Sequence, residues 1–323
     1  MPFSIIINGY PKSDAPVTQI QGPALQGMFL HLIGQVDPAV AARLHNDNRY
    51  RPFTLSPLGI GEPTPGPLRQ AQDRLSRDGK THPCPDRPLS AQEGRTHPYP
   101  SWEGKGREFQ GFRLPREETL KPGTPCYLRV TLLEDLLFPT FSRYFLNCPE
   151  PTFQLGETEF TVTSVLATPE SGNQWSSYVS YAELIDHAMQ QHAQRRIRFQ
   201  FVTPTCFSKG DMDLPLPLPR LVFQSYQKRF SEFYDVAFLP DFVELVDLHT
   251  GISSLKHLRT DTIKTKHTPL TGFTGEVSFE ISKKAPPELV FQMNLLADFA
   301  FFCGTGKKTT VGMGQTVRII RQD

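Results

Sequence analysis

The order of strand-like and helix-like segments constrains this chain more than any other feature, because it recurs in both halves. Residues 3–10 have the apolar character of a short strand, and apolar residues recur at helical spacing over 24–35. Asp37-Pro38 then predicts a capped helix that runs to about His45, and residues 53–60 predict the next strand. Strand, helices and strand in this order favour an α+β fold built in layers.

The same order returns further along the chain. Residues 126–133 predict a strand, 136–146 a helix and 153–167 a pair of strands. Helices are then predicted at 181–191, at 219–235 and from Pro287, the last with its apolar residues on one inner side, and strands at 196–202, 272–281 and 315–320. The second half thus repeats the first, which predicts two α+β sandwiches in tandem, at 1–168 and 169–323.

The pattern stops between residues 61 and 124, a stretch that holds many of the chain's 30 prolines. It also contains a near-duplicate, since residues 79–85 resemble residues 94–100. We interpret the stretch as a proline-rich, flexible insertion in the first domain, because the entropy of closing a loop grows only slowly with its length. Its His82, Cys84 and His97 could form a metal site, or the insert could carry no chemistry; both interpretations stay open here.

Composition excludes several classes of protein. The 34 basic and 33 acidic residues leave a formal charge of +1, so an anionic partner must be met by a local patch. No apolar run approaches the ~20 residues that span a bilayer, and the N-terminus has no signal-peptide pattern. Five scattered cysteines contain no CxxC pair. We therefore expect a cytoplasmic protein without a membrane partner and without a metal ion.

The sharpest motif is Gly-Thr-Gly-Lys-Lys-Thr-Thr-Val-Gly-Met-Gly at 304–314, between the last helix and the last strand. Successive N–H groups in such a turn can bind an anion, and Lys307 and Lys308 add positive charge, which points to phosphate. The spacing matches neither a Walker loop nor a dinucleotide fingerprint. The alternative is a tight turn in which Gly304, Gly306, Gly312 and Gly314 are needed only for geometry.

A second motif surrounds His45, at the end of the second predicted helix. Arg43, Arg49 and Arg51 lie close to it in sequence. A histidine beside fixed cations can cleave RNA without a metal, because the imidazole moves a proton while a cation stabilises the crowded phosphate. The alternative is a histidine that only caps a helix, and His31, one helix earlier, has the same status.

A third basic cluster contains Lys256, Arg259, Lys264 and Lys266. It is either an RNA-binding hairpin or a solvated one, and the residues alone leave both open. A clustered set of carboxylates of the kind used in two-metal nucleases is not evident, because Asp211 and Asp213 fit a proline-flanked loop.

These motifs together carry a resemblance to a known family. The double glycine motif at 304–314 resembles the signature of RAMP-superfamily proteins. With Leu44-His45 and the run Arg-Pro-Phe-Thr-Leu-Ser-Pro at 51–57, the chain resembles the CRISPR-associated repeat-processing endoribonucleases of that superfamily. Residues 25–27, 199–207 and 272–275 are also similar to that family, so the resemblance covers most of the chain outside 61–124.

The resemblance implies a fold and an activity. The fold would be two tandem ferredoxin-like (RRM-like) domains. The enzyme would be an endoribonuclease that cuts precursor CRISPR RNA within the repeat, without a metal or other cofactor, leaving 2′,3′-cyclic phosphate and 5′-hydroxyl ends. Its partner would be single-stranded or hairpin repeat RNA. The resemblance also allows association with subunits of a CRISPR effector complex, and a homodimer.

The resemblance also suggests roles for individual residues. The catalytic histidine falls on His45 and its basic partner on Arg51. Some members carry a catalytic tyrosine on the first helix where this chain has Leu30, so His31 becomes a candidate stand-in. Basic hairpins such as that of Lys256 and its neighbours commonly contact the RNA in this family. Two alternatives share the glycine motif: a non-catalytic RAMP subunit that binds guide RNA, and a structural protein that binds a mononucleotide.

Overall fold

The computed structural model describes residues 1–46, 50–61, 112, 114–171, 173–190 and 194–320. The three residues of the predicted metal site, His82, Cys84 and His97, lie outside the described residues, as does Arg49. Most of the expected insertion at 61–124 lies outside them as well. These expectations therefore stay predictions.

The first half forms a sheet covered by helices. Its strands are β1 (Phe3–Pro11), β2 (Ala15–Pro16), β3 (Phe53–Leu55), β4 (Gly59–Ile60), β5 (Thr119–Leu120), β6 (Cys126–Leu132), β7 (Thr152–Leu155), β8 (Thr158–Leu166) and β9 (Ser177–Tyr178), and its helices are α1 (Pro23–Val36), α2 (Pro38–Asn46) and α3 (Leu137–Asn147). The main sheet has the order β3–β6–β1–β8–β7, and all neighbouring strands are antiparallel. The short strands β4 and β9 pair with β6 and β1, and β2 pairs with β5.

The second half forms another antiparallel sheet. Its strands are β10 (Arg196–Thr205), β11 (Phe207–Lys209), β12 (Met212–Leu214), β13 (Thr250–Ile263), β14 (Leu270–Ile281) and β15 (Thr316–Arg318), and its helices are α4 (Tyr181–Gln190), α5 (Pro219–Phe233), α6 (Phe242–His249) and α7 (Pro287–Cys303). The sheet has the order β13–β14–β10–β15, and β11 pairs with β12. The sequence patterns missed α6 and β13, because most side chains of the edge strand β13 are exposed and its alternation is hidden.

Both sheets share one topology. Leaving out β7, which adds an edge to the first sheet, each sheet has four main strands. In chain order, the second, third, first and fourth of them lie side by side: β3, β6, β1 and β8 in one sheet, and β13, β14, β10 and β15 in the other. This is the strand order of the β-α-β-β-α-β ferredoxin-like motif. The predicted pair of tandem ferredoxin-like units is confirmed. Their boundary at 168/169 stays a prediction, and β9, beyond it, still pairs with β1.

Two helices begin where the sequence supplies a capping residue. Asp37 precedes α2, and its Oδ1 accepts hydrogen bonds from the backbone N–H groups of Ala39 at 3.0 Å and Val40 at 3.1 Å. At the start of α4, the N–H of Glu183 donates to Ser180 Oγ and the N–H of Ser180 donates to Glu183 Oε2, a reciprocal capping box. Because caps satisfy N–H groups that no helical carbonyl reaches, they fix these helix starts, and both predicted starts are confirmed.

The strand expected at 53–60 is interrupted. β3 ends at residue 55 and β4 begins at residue 59, so three residues lie outside the ladder. Pro57, in this gap, has no N–H to donate to a neighbouring strand. Ser56 exchanges hydrogen bonds with Arg129 instead, donating its N–H to the Arg129 carbonyl and accepting the Arg129 N–H on its Oγ. The prediction of one continuous strand is wrong over these three residues.

Helix α7 is buried on all sides, whereas the sequence predicted a single inner face. Every side chain from Gln292 to Cys303 is buried, because the helix packs on α4 and α5 and also touches β3, β6 and β15. Arg318 on β15 binds buried polar groups of the helix, donating to Asp298 Oδ1 at 2.7 Å and to the Asn294 carbonyl at 3.1 Å. Neither α7 nor any other helix within the described ranges is long and apolar enough to cross a membrane.

Arg129 on β6 joins the two halves. Its side chain is buried, and its guanidinium lies 4.7 Å from the ring centroid of Trp175 and 4.2 Å from that of Phe301. Nη2 donates to the Phe301 carbonyl at 2.7 Å, and Nη1 donates to Gln315 Oε1 at 2.6 Å. Burial lowers the pKa of this guanidinium, because desolvation disfavours its charged form. These contacts fix the first sheet to the end of α7 and to the segment that follows it.

Candidate active site

The segment 304–314, called the glycine loop below, joins α7 to β15. It makes two close backbone approaches that only glycine permits. Gly306 and Gly314 have φ angles of 73° and 74°, in the left-handed region. A Cβ atom would lie 2.3 Å from the carbonyl oxygen of Cys206 at Gly306, and 2.1 Å from that of Thr305 at Gly314. Geometry alone therefore explains the need for glycine at these two positions.

Several backbone N–H groups that an anion nest would use are donated within the protein. The pairs are Gly304 to Ala300 O (3.0 Å), Thr305 to Gly314 O (2.8 Å), Gly306 to Ser225 Oγ (3.4 Å), Lys307 to Cys206 O (2.9 Å) and Gly314 to Pro204 O (3.0 Å). Gly304, Gly306, Gly312 and Gly314 are all buried. The arrangement favours the tight-turn alternative for the glycines. An anion would meet lysine side chains instead: Lys308 is exposed, whereas Lys307 already forms an ion pair with Asp213.

Arg229 on α5 holds the glycine loop in place through hydrogen bonds. Its buried guanidinium donates from Nη1 to the carbonyl oxygens of Cys303 and Gly304, both at 2.8 Å. Nη2 donates to the carbonyl oxygen of Gly306 at 2.6 Å and to Thr309 Oγ1 at 3.2 Å. Since one planar cation binds three acceptors of the loop and the last carbonyl of α7, α5 acts as a rigid support for the loop.

A groove with a volume of about 520 Å³ lies beside the glycine loop and is called the loop groove below. Its charged lining residues are Arg51, Lys228, Arg229, Lys307 and Lys308. None of the described residues that line it is acidic, although Asp213 forms an ion pair with Lys307. A cleft lined by charge of one sign focuses the field and attracts a ligand of the opposite sign. The loop groove is therefore suited to a polyanion.

Arg51 reaches the loop groove from the other end of the sequence. It lies two residues before β3, and the Leu55 carbonyl at the end of that strand accepts a hydrogen bond from Gln315 Nε2 at 3.1 Å. Gln315 directly follows the glycine loop, so this contact ties β3 to the loop. The structure thus brings three predicted site residues, Arg51, Lys307 and Lys308, to one groove.

His45 lies in the last turn of α2, and its side chain is exposed. It is not among the described residues that line the loop groove, but Tyr50 is. Five peptide steps separate the two residues, so their Cα atoms are at most about 18 Å apart. The structure therefore does not bring His45 into the loop groove, although the chain keeps its Cα within that distance of the Cα of Tyr50.

The structure does not bring His31 and Arg43 to the loop groove. On α1, Gln26 contacts the glycine loop by accepting a hydrogen bond from Thr310 Oγ1 at 3.3 Å. The exposed His31 follows five positions later, about 140° around the helix from that contact. Arg43 on α2 forms an ion pair with Glu134 at 2.8 Å.

The other predicted RNA-binding residues lie on the β13–β14 hairpin. Lys256 and Arg259 belong to β13, and Lys264 and Lys266 belong to the turn that follows. All four side chains are exposed. The hairpin borders a second groove of about 1060 Å³, whose charged lining residues are Arg116, Arg259 and Lys264 together with Glu117, Glu118, Asp261 and Glu276. Because its charges are mixed, this hairpin groove attracts a polyanion less strongly than the loop groove does.

Sequence reasoning missed three residues of the loop groove, namely Tyr50, Lys228 and Arg229. The helix that carries the latter two was predicted, but neither residue was given a role. Arg229 is buried on the same stripe of α5 as Val222 and Tyr226. A charged side chain at an apolar position of a helical pattern is a signal that could have identified it.

Two cysteines lie close to the glycine loop, and both are buried. Burial raises the pKa of the Cys303 thiol to about 12. Burial also raises the pKa of Cys206, although Lys307 and Lys308 oppose the shift. Both thiols therefore stay protonated at neutral pH and are poor nucleophiles. Within the described ranges, no group of three or more His, Cys, Asp or Glu side chains could hold a metal ion.

Comparisons with known proteins agree with this architecture. Among solved structures, a Cas6 (TTHB231) product complex is similar with a TM-score of 0.70 at 24% identity, covering 99% of this chain and 100% of the other. A Cas6 (TTHA0078) product complex has a TM-score of 0.65 at 21% identity, with 99% and 100% coverage. The structure described as Thermus thermophilus Cas6 (TTHB231) has a TM-score of 0.60 at 22% identity, with 99% and 98% coverage. No curated protein sequence matches the chain.

Two family models match the sequence itself. One, described as the CRISPR Cas6 N-terminal domain, matches residues 1–82 and 103–186. The other, described as CRISPR-associated endoribonuclease Cas6, matches residues 199–316. Together they cover both ferredoxin-like units, the His45 segment and the glycine loop, and they confirm the resemblance drawn from the motifs. The protein belongs to the Cas6 family of CRISPR-associated endoribonucleases.

Proposed function

We propose that the protein cleaves precursor CRISPR RNA within the repeat, without a metal ion, and leaves 2′,3′-cyclic phosphate and 5′-hydroxyl ends. One observation carries this proposal: Arg51, from the start of the chain, and Lys307 and Lys308, from its end, line a single cationic groove. Two-metal nucleases use carboxylates to hold their ions, whereas the described charged residues that line this groove are cations, which can stabilise the negative charge that develops on a phosphate. Solved relatives described as product and substrate mimic complexes have the same fold.

The reaction divides among the substrate and two side chains. The 2′-oxygen attacks the adjacent phosphorus, the P–O2′ bond forms and the P–O5′ bond breaks, so the 5′-oxygen leaves. His45 takes the proton of the 2′-hydroxyl. Arg51 stabilises the negative charge on the crowded phosphate. A guanidinium keeps its proton, so Arg51 is not the acid of the reaction. Water protonates the leaving 5′-oxygen, and the proton that His45 has taken neutralises the hydroxide that remains.

The remaining predicted residues are proposed to hold the RNA. Lys307 and Lys308 contact phosphates in the loop groove, and the glycines at 304, 306, 312 and 314 shape the turn that presents them. The β13–β14 hairpin carries exposed basic side chains that are suited to the phosphate backbone of flanking RNA, namely those of Lys256, Arg259, Lys264 and Lys266. Arg43 and His31, like His45, are not among the described residues that line the loop groove, and the proposal gives these two no direct contact with the scissile phosphate.

The direct test is to incubate the protein with its CRISPR repeat RNA in the presence of EDTA. We expect cleavage at one position in the repeat, and no cleavage when the nucleotide 5′ of the scissile phosphate is 2′-deoxy, because the attacking oxygen is then missing. The downstream fragment should accept label from a polynucleotide kinase without phosphatase treatment, which reports a 5′-hydroxyl. Complete inhibition by the chelator, or cleavage of the 2′-deoxy substrate, would contradict the mechanism.

Replacing Lys308 should change how RNA binding depends on salt. Lys308 is exposed at the loop groove, so Lys308→Gln should release about one counterion fewer on binding. The slope of log Kd against log salt should fall by about 1, with weaker binding at low salt. The matched control is Lys284→Gln, an exposed lysine that does not line either groove. Equal slopes for the two variants would remove Lys308 from the interface.

A further inference from the structure

Tyr50 is an exposed aromatic side chain in the loop groove. Its side chain is 39% exposed, whereas Phe207, the other aromatic residue among the described residues lining this groove, is 5% exposed. Of these two rings, only that of Tyr50 has enough free surface to contact a ligand in the groove. Tyr50 also lies directly before Arg51, to which the mechanism assigns the scissile phosphate. In the sequence, Tyr50 is therefore next to the residue that is proposed to contact the scissile phosphate.

One side of the Tyr50 ring is already supported. The guanidinium of Arg229 lies 5.9 Å from the ring centroid, within the range of a cation–π contact. Arg229 itself is immobilised by its hydrogen bonds to the glycine loop, so it offers the ring a fixed platform. An aromatic ring held at one face presents its remaining exposed surface without a large loss of side-chain entropy on binding. This is the arrangement that a stacking partner requires.

The lining of the loop groove combines two kinds of side chain. Tyr50 contributes an aromatic surface, while Lys307 and Lys308 contribute ammonium groups from the glycine loop. Sites for single-stranded nucleic acid combine these two elements: cations follow the phosphates, and aromatic rings stack on the bases. A free phosphate or a peptide carboxylate would use the lysines but leave the tyrosine without a role. The combination therefore selects an unpaired nucleotide.

We propose that Tyr50 binds the substrate by stacking on the base of a nucleotide that flanks the scissile linkage, with Arg229 supporting the opposite face of the ring. The proposal rests on the proposed endoribonuclease function and deepens it, because it requires this nucleotide to be unstacked from any neighbouring RNA helix. Stacking on an aromatic ring tolerates every base, so it positions the linkage against Arg51 without selecting a sequence.

The test compares Tyr50→Phe, which keeps the ring, with Tyr50→Leu, which removes it. RNA containing 2′-deoxyribose at the cleavage site keeps the substrate intact while Kd is measured. We expect Tyr50→Phe to match the parent and Tyr50→Leu to bind about tenfold more weakly. Tyr178→Leu is the matched control, because Tyr178 is 38% exposed and does not line the loop groove. In the parent, 2-aminopurine beside the scissile linkage should be quenched on binding, and this quenching should be lost in Tyr50→Leu.

An abasic substitution at the stacked nucleotide separates stacking from a merely structural role. On abasic RNA, the parent and Tyr50→Leu should bind alike, because the stacking partner is missing in both cases. If Tyr50→Leu weakens binding of abasic and intact RNA by the same factor, Tyr50 only supports Arg229 and the proposal is overturned. Unchanged Kd and unchanged 2-aminopurine quenching in Tyr50→Leu also overturn it. Neither result affects the proposed function, which fails only if the parent protein does not cut the repeat.

Discussion

Replacing His45 with alanine is expected to slow cleavage of the repeat RNA by about 100- to 10,000-fold, the usual contribution of a general acid–base group. RNA binding should be nearly unchanged, since the proposed phosphate contacts come from Arg51 and the lysines of the glycine loop. The side chain of His45 is exposed at the end of α2, so its loss opens no cavity and should leave folding intact. The rate at saturating enzyme therefore falls while Kd remains close to that of the parent.

Single-turnover cleavage and a binding isotherm on 2′-deoxy RNA measure the two quantities separately. His249→Ala is a matched control, because His249 also ends a helix, α6, and does not line either groove. Its rate should equal that of the parent. A His45→Ala protein that cuts at the parental rate would remove His45 from the mechanism. A parent protein that binds repeat RNA without ever cutting it would favour the alternative of a non-catalytic RAMP subunit.

The order of strands and helices could be predicted from the sequence because it depends on the local spacing of apolar residues. The helix start at Asp37 and the capping box at Ser180 and Glu183 depend only on residues up to three apart, and the structure contains both. The strand at 53–60 was less predictable, since its interruption depends on hydrogen bonds between Ser56 and Arg129, 73 residues away. Local sequence patterns do not identify hydrogen-bond partners that are so far apart in the chain.

The glycine loop shows the same limit at the site. Its glycines and lysines could be recognised in the sequence. The sequence did not show that the glycines shape the turn while the lysine side chains face the groove. The N–H of Lys307 is donated to the carbonyl of Cys206, about a hundred residues earlier in the chain, so the loop is folded onto the backbone that follows β10 and is not open to an anion. Tyr50, Arg51 and Arg229 likewise meet in one groove only because of how the two ferredoxin-like units pack. The spacing of these residues in the sequence does not predict that packing.

The glycine loop should also be sensitive to a single methyl group. In Gly314→Ala the new Cβ would lie 2.1 Å from the carbonyl oxygen of Thr305, and the residue would be held at a φ of 74°. Left-handed backbone costs about 1–2 kcal/mol for a residue with a Cβ, and overpacking against a backbone atom costs about 1–3 kcal/mol. The free energy of unfolding should therefore fall by about 2–5 kcal/mol in urea denaturation, and cleavage should fall with it, because Lys307 and Lys308 are displaced.

Two further glycines separate these two costs. Gly210, in the β11–β12 turn, has a φ of 63°, but no atom lies within 4 Å of the place that a Cβ would take, so Gly210→Ala should lose only the roughly 1–2 kcal/mol of left-handed backbone. Gly27, in α1, has ordinary helical backbone and equally open space, so Gly27→Ala should raise stability by roughly 0.5–1 kcal/mol. If Gly314→Ala is no less stable than Gly210→Ala, the loop can move away from Thr305, and its rigid support by Arg229 cannot be what positions the two lysines.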